Sequence, residues 1–228
     1  MDVTFCITCC DKDVHLLDQC VSYIDNQTVK PEEVVVVCSG LEKKSFTLIE
    51  KVKKFNFASE HTEYAAYNSP HRKLPGWARN IGGLISTGDV IVFCDVDDAI
   101  HPQKCEFIKE VFKNKEVSAL VGNYHLPGSF EEWEDLDVLN YEQVTEVEPD
   151  PEPVPDGWFS VPRVNVMAPS KKPISHGHMT CRSDMFIRDQ MAYKENMPLG
   201  EDGTFCRSIL DHPEHKLFYT PQKLIIYN

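Results

Sequence analysis

Hydrophobic and polar positions follow two periods along this chain. Residues 3–8 (Val-Thr-Phe-Cys-Ile-Thr) read as a strand, and residues 12–26 then place Val14, Leu17, Val21 and Ile24 on one helical face. Pro31 interrupts, and Glu33 to Cys38 reads as a second strand ending at Ser39-Gly40. A helix over 42–56 keeps Leu48, Val52 and Phe55 in phase, and Tyr64–Tyr67 is a weaker third strand. Residues 68–76 form a loop rich in Pro, Gly and basic groups, followed by a helix from Trp77 with Gly88 as its C-cap. Val90-Ile91-Val92-Phe93-Cys94 is short, apolar and β-branched at three places, as expected of a strand buried on both faces. Strands alternating with helices predict a mainly parallel sheet, with ligands outside the carboxyl ends of its strands.

The second half is less regular. Pro102 is expected to open a helix running to about Lys113 with Phe107, Val111 and Phe112 inward, and Ser118–Gly122 reads as a strand. Ser160–Met167 alternates as a strand, one helix follows from Ser183, and another passes through Phe205, Ile209 and Leu210. Leu217–Tyr219 and Leu224–Tyr227 are expected to form an edge hairpin. The whole predicts a single α/β domain over residues 1–228, with a Rossmann-like, mixed but mainly parallel central sheet flanked by helices. A length of 228 residues at 42% hydrophobic content suits one sizeable core.

Charge changes this picture at one place. The net charge is −13, yet no Lys or Arg occurs between Lys115 and Arg163, while twelve Asp and Glu do. Residues 127–157 also hold five prolines and read as an excursion from the compact fold, either a solvated insertion or a lid or partner contact. Without a basic footprint, nucleic-acid binding is excluded. No run of 18 apolar residues predicts a membrane span, and Met1-Asp2-Val3-Thr4 carries no signal-peptide pattern. The nine cysteines are odd in number and fall mostly in predicted strands and helices, with one lone Cys6-x-x-Cys9 pair. They read as buried, reduced thiols, and a cytoplasmic location is expected.

The candidate chemistry sits where the buried strand ends, in Asp95-Val96-Asp97-Asp98. Strand alternation sends Asp95 and Asp97 out on the same side. Carboxylates that close repel unless a proton or cation lies between them, and Mg²⁺ or Mn²⁺ is the expected partner, shared with a diphosphate. Arg72, Lys73 and Arg79 lie shortly before this strand.

The run Ala78-Arg79-Asn80-Ile81-Gly82, then Gly88-Asp89, the apolar strand and Asp95-Val96-Asp97-Asp98 closely resembles the family 2 glycosyltransferases of GT-A fold. Gly200-Glu201-Asp202 resembles that family's second acidic motif. The resemblance implies an inverting transfer from a nucleotide sugar (UDP-, GDP- or dTDP-sugar) to a hydroxyl of a glycan or other acceptor. It implies a nucleotide-sugar half over 1–100 and an acceptor half over 101–228. Asp97 would hold the metal, and Asp95 would share it or bind the ribose. Thr8 would line the nucleoside pocket, and Arg72, Lys73 and Arg79 would bind the diphosphate. Asp202 would be the base, with Glu201 as a second choice or an orienting neighbour. Asp98 is read as a helix cap or a metal contact. Trp158 with Phe159, and His176 and His178, are candidates for the acceptor side, and His212 or His215 for a further metal ligand. The chain departs from the family pattern in lacking an acidic residue after the second strand, at Val37-Cys38-Ser39-Gly40, and in Thr8-Cys9-Cys10, where proline is common. Two rival readings remain: an inactive nucleotide-sugar-binding scaffold, and a phosphatase using Asp95 and Asp97.

Overall fold

A computed structural model describes residues 1–41, 62–145, 147–149, 164–167, 173–174, 178–197 and 200–227. The helix expected over 42–56 and the strand residues 160–163 lie outside these. In chain order the elements are β1 (Val3–Cys10), α1 (Leu17–Asp25), β2 (Glu33–Ser39), β3 (Glu63–Ser69), α2 (Pro75–Ile85), β4 (Val90–Asp95) and β5 (Ala99–Ile100). There follow α3 (Lys104–Val111), β6 (Ala119–His125), β7 (Glu142–Gln143), β8 (Val147–Pro149), β9 (Val164–Met167) and β10 (Pro173–Ile174). The last are β11 (Thr180–Arg182), α4 (Asp184–Ile187), α5 (Glu201–Leu210) and β12 (Leu217–Ile226).

The main sheet runs β3-β2-β1-β4-β11-β6-β12-β5, with β7 on β12. The first four strands are parallel. β11 is antiparallel to both β4 and β6, which leaves β6 and its parallel neighbour β12 pointing the same way as β4. The carboxyl ends of six strands therefore gather on one side. β8, β9 and β10 form a separate small antiparallel sheet.

Strand alternation divides the core in two. Phe5, Ile7, Val34, Val36, Val90, Val92 and Cys94 face α1 and α3, meeting Leu17, Val21, Ile24, Phe107 and Ile108. Cys6, Val35, Val37, Ile91 and Phe93 face α2, α4 and α5, meeting Ala78, Phe186, Phe205 and Ile209. Helix α2 lies very close to the sheet: a Cβ on Gly82 would sit 2.2 Å from Cys6 Sγ. Only glycine allows that approach. All nine cysteines are free thiols, as expected, and eight are buried. Among the described residues no helix is long and apolar enough to cross a membrane.

Three expectations need correction. Helix α2 begins at Pro75, its first-turn proline, and ends at Ile85, not at Gly88. Ser86 closes it by donating both N–H and Oγ–H to Gly82 O, at 3.0 and 2.6 Å, while Gly88 donates its N–H to Thr4 Oγ1. The C-terminal hairpin is a single strand, β12, in the sheet interior, with register shifts between Thr220 and Ile225. Pro221 falls in that stretch, where a bulge absorbs its missing donor. The acidic segment is also less detached than expected. Val144 is fully buried, Leu136, Val138 and Tyr141 pack against the core, and Thr220 Oγ1 donates to Asn140 O at 2.7 Å.

Candidate active site

Strand β4 ends at Asp95, and a turn follows in which Asp98 N–H donates to Asp95 O at 3.3 Å. The strand period therefore stops before Asp97. Even so, Asp95, Val96 and Asp97 line one wall of a cleft of about 350 Å³ at the carboxyl ends of β1, β2 and β4. Thr8, Cys9, Cys10, Lys12, Ser39, Arg72, Lys73 and Leu74 line it as well. Arg72 and Lys73 are exposed, and Arg72 Nε stands 4.0 Å from Asp11 Oδ1. Of the expected donor-binding groups, Thr8, Arg72, Lys73 and Asp95 thus share this cleft with the expected metal ligand Asp97. Burial first, then Asp98 and Asp95, raises the Asp97 carboxyl above its ordinary value.

Arg79 lies elsewhere. Its side chain is 4% exposed and points from α2 between two carboxylates. Nη2 donates to both oxygens of Asp95, at 3.1 and 3.2 Å, and Nη1 donates to Glu201 Oε1. Its guanidinium lies over the Tyr193 ring, 5.6 Å from the centroid. A diphosphate contact by Arg79, expected above, is replaced by this internal clamp, because two carboxylates near a buried guanidinium take up its donors. Thr8 Oγ1 adds a 2.7 Å donation to Asp95 Oδ1. Asn80, next along α2, holds the loop that crosses it: Tyr193 N donates to Asn80 Oδ1 at 2.7 Å, and Asn80 Nδ2 donates to Tyr193 O and Glu195 Oε1.

Glu201 and Asp202 open α5, where Gly200 turns the chain with φ of +81°. The Glu201 carboxylate is buried with Arg79. Burial and the adjacent Asp202 push it up, against the pull of Arg79, to about 7. Asp202 is half-buried beside it, and its charge acts on both Arg79 and Glu201. Of the two carboxylates, Glu201 is the one tied to Arg79, and Asp202 is the more exposed.

A second acidic group lies just behind. Asp98 Oδ2 and His178 Nε2 are 2.5 Å apart, both buried. Ligand atoms of Asp95, Asp98 and His178 all fall within 4.8 Å of one another. His178, expected on the acceptor side, is therefore packed into the carboxylate group; burial opposes its charged form, but the bond to Asp98 lifts it to about 9. Trp158, Phe159 and His176 lie outside the described residues. His215 bonds Asp189 Oδ2 at 2.9 Å and stacks with His212, apart from this group. The sequence reading missed Lys104, whose fully buried Nζ has no hydrogen-bond partner among the described residues and feels the charges of Cys94 and Asp98. Its signal was a lysine at the inward phase of the helix that also carries Phe107 and Val111.

Parallel strands ending over an acid-walled cleft, with a second carboxylate pair at a helix start, are what a GT-A glycosyltransferase fold presents. Residues 4–165 match the model of glycosyl transferase family 2, and the chain belongs to that family. It is 27% identical over 123 residues to a dolichyl-phosphate beta-glucosyltransferase of Trichomonas vaginalis, a match covering 50% of this chain and 35% of that protein. S. aureus TarS 1-349 in complex with UDP superposes with a TM-score of 0.62 at 14% identity, covering 97% of this chain and 60% of that one. The mannosyltransferase PcManGT from Pyrobaculum calidifontis, in complex with GDP-Man and Mn²⁺, gives 0.64 at 15%, covering 99% and 56%. At such identities the structural likeness establishes the GT-A fold alone. The chain spans about a third of that curated relative and somewhat over half of each structure.

Proposed function

We propose that this chain is a glycosyltransferase domain that moves a sugar from a nucleotide-sugar donor to an acceptor hydroxyl, with inversion and with help from a divalent ion. The observation that carries the reading is the cleft, lined by Asp95 and Asp97 together with Lys12, Arg72 and Lys73, with Arg79 joining Asp95 to Glu201, the neighbour of Asp202. Neighbours of the same fold bind UDP and GDP-Man, and one holds Mn²⁺, which supports a pyrophosphate-linked donor.

The residues fit a divalent ion. Asp95 and Asp97 reach the cleft, while Asp95, Asp98 and His178 offer two carboxylates and an imidazole within 4.8 Å, a donor set suited to Mn²⁺. When bound, the ion supplies charge neutralisation for the departing nucleoside diphosphate. The chain's own residues do the rest. Arg72 and Lys73 offer charge-assisted hydrogen bonds to phosphate oxygens. Thr8 and Arg79 fix the Asp95 carboxylate. Asp202 accepts the acceptor hydroxyl proton on a carboxylate oxygen while the acceptor's hydroxyl oxygen bonds to the anomeric carbon from the face opposite the leaving group, and the bond from that carbon to the nucleoside diphosphate breaks. Glu201, tied to Arg79, holds the first turn of α5 in place. In this reading residues 1–100 serve the donor and 101–228 the acceptor, a glycan or other hydroxyl compound.

The test is calorimetric titration of UDP, GDP and dTDP with and without Mn²⁺, paired with release of free sugar from the matching nucleotide sugars. One nucleotide is expected to bind, at least tenfold tighter with Mn²⁺. Asp202→Asn should keep that affinity and lose sugar release by about 10²-fold or more, the usual contribution of a general base. Nucleotide binding without turnover in the wild type would favour the scaffold reading, and unaltered turnover in Asp202→Asn would move the base elsewhere.

A further inference from the structure

The sequence reading placed no functional residue in the last strand, yet the sheet brings its end to the carboxylates. β12 runs parallel to β6, and β6 points the same way as β4, so Tyr227 emerges on the cleft side of the sheet. Its place is held from both flanks. Tyr227 N–H donates to His125 O at 2.9 Å on the β6 side. On the β5 side Ile225 pairs with Ile100 and Ile226 with Ala99, antiparallel, which brings Tyr227 opposite Asp98. The Tyr227 ring packs on Tyr124, centroids 5.6 Å apart and planes at 60°, and remains 43% exposed. Two tyrosines thus stand together beside Asp98 on the carboxyl-end side of the sheet, with the Tyr227 ring open to solvent.

We propose that Tyr227, backed by Tyr124, is the platform on which the sugar ring of the acceptor lies, with the hydroxyl to be glycosylated turned toward Asp202. The inference rests on the transferase reading above and extends it to the chemistry of the acceptor: a pyranose with an apolar C–H face rather than a simple alcohol. A tyrosine ring stacks on such a face, and its hydroxyl supplies a directional hydrogen bond at the rim. Burial, and then the charges of Asp98, Asp95, Asp202 and Asp97, raise the Tyr227 phenol. A phenol carries its proton at neutral pH and can donate it in a hydrogen bond. The ring stands on the same side of the sheet as the expected donor cleft, which lies at the carboxyl ends of β1, β2 and β4.

The experiment is saturation-transfer NMR and calorimetry with three probes, methyl β-glucoside, methyl α-mannoside and methyl β-N-acetylglucosaminide. Each is titrated into the chain with Mn²⁺ and the nucleotide that binds it. At least one probe is expected to bind in the millimolar range with its ring protons saturated. Tyr227→Ala should weaken it tenfold or more, Tyr227→Phe by no more than about threefold, and neither should change nucleotide affinity by more than twofold. Tyr227→Leu, of similar bulk but not aromatic, should behave like Tyr227→Ala and guards against a packing defect. The proposal is overturned if none of the three glycosides binds the nucleotide-loaded protein, if Tyr227→Ala leaves probe affinity within twofold, or if it weakens nucleotide equally. Failure of every nucleotide to bind the wild type would instead bring down the transferase reading itself.

Discussion

Arg79 decides how the site's charges are shared. One buried guanidinium faces Asp95 on the donor side and Glu201 on the other, with Asp202 adjoining. Three acids around one base leave an excess of negative charge, and Glu201, the most buried of them, carries the consequence. Its folded value of about 7 stands against an ordinary 4.5. A carboxyl raised in this way binds its proton more tightly folded than unfolded. Its contribution to stability is therefore present below about pH 4.5 and lost as pH rises through 7. At about 1.4 kcal/mol per pH unit, the loss is about 3 kcal/mol. Glu201→Gln keeps an oxygen for Arg79 and removes this titration, so its stability should fall less than the wild type's between pH 5 and 8 in urea unfolding; parallel profiles would contradict the assignment. Asp95-Val96-Asp97-Asp98 and Gly200-Glu201-Asp202 were readable as chemistry because each is a local cluster in a telling position. The partnership of His178 with Asp98 was not, since eighty residues separate them and nothing local to either marks the other.

At the scale of elements, the first four strands could be read because each is a short apolar run that fills both faces of a sheet. The helix α2 could be read as well, but its glycines had only been seen as family letters. The structure gives Gly82 a physical task. A methyl group there would meet Cys6 Sγ at 2.2 Å, well inside contact distance, and α2 would have to lift away from β1 and β2. Gly82→Ala is expected to cost about 1–3 kcal/mol in urea unfolding, the range for overpacking a close-fitted core. Removing the sulfur in Gly82→Ala with Cys6→Ala should recover part of that loss, and a purely additive pair would show that the contact is not the cause. β12 was misread for the opposite reason. Pro221-Gln222-Lys223 look like a turn locally, but tertiary pairing with β6, β7 and β5 carries the strand through them.

For the molecule as a whole, composition marked the acidic stretch correctly as different but misjudged its attachment. Its charge is solvated, while Val144, Leu136, Val138 and Tyr141 are fastened to the core and β7 pairs with β12. Such sparse anchors are hidden in a sequence window dominated by Glu and Pro. Deleting residues 130–145 removes those side chains and uncovers the core they pack against, each anchor being worth up to about 1.5–3 kcal/mol. The thermal midpoint should drop by about 10 °C or more, and an unchanged midpoint would show the stretch to be a mere appendage.

The position of β12 has a further consequence during synthesis. β5, which follows the acidic turn directly, has among the described residues one strand partner, residues 225–226, made more than a hundred positions later. Until the ribosome has released that distant stretch, the sheet stays open beside Asp98 and the nascent chain carries an unsealed edge. The side of the sheet that carries Asp95 and Asp98 is therefore among the last parts to set, and a chain stalled short of its twelfth strand would have β1 to β4 paired yet leave β5 and β6 without their β12 neighbour.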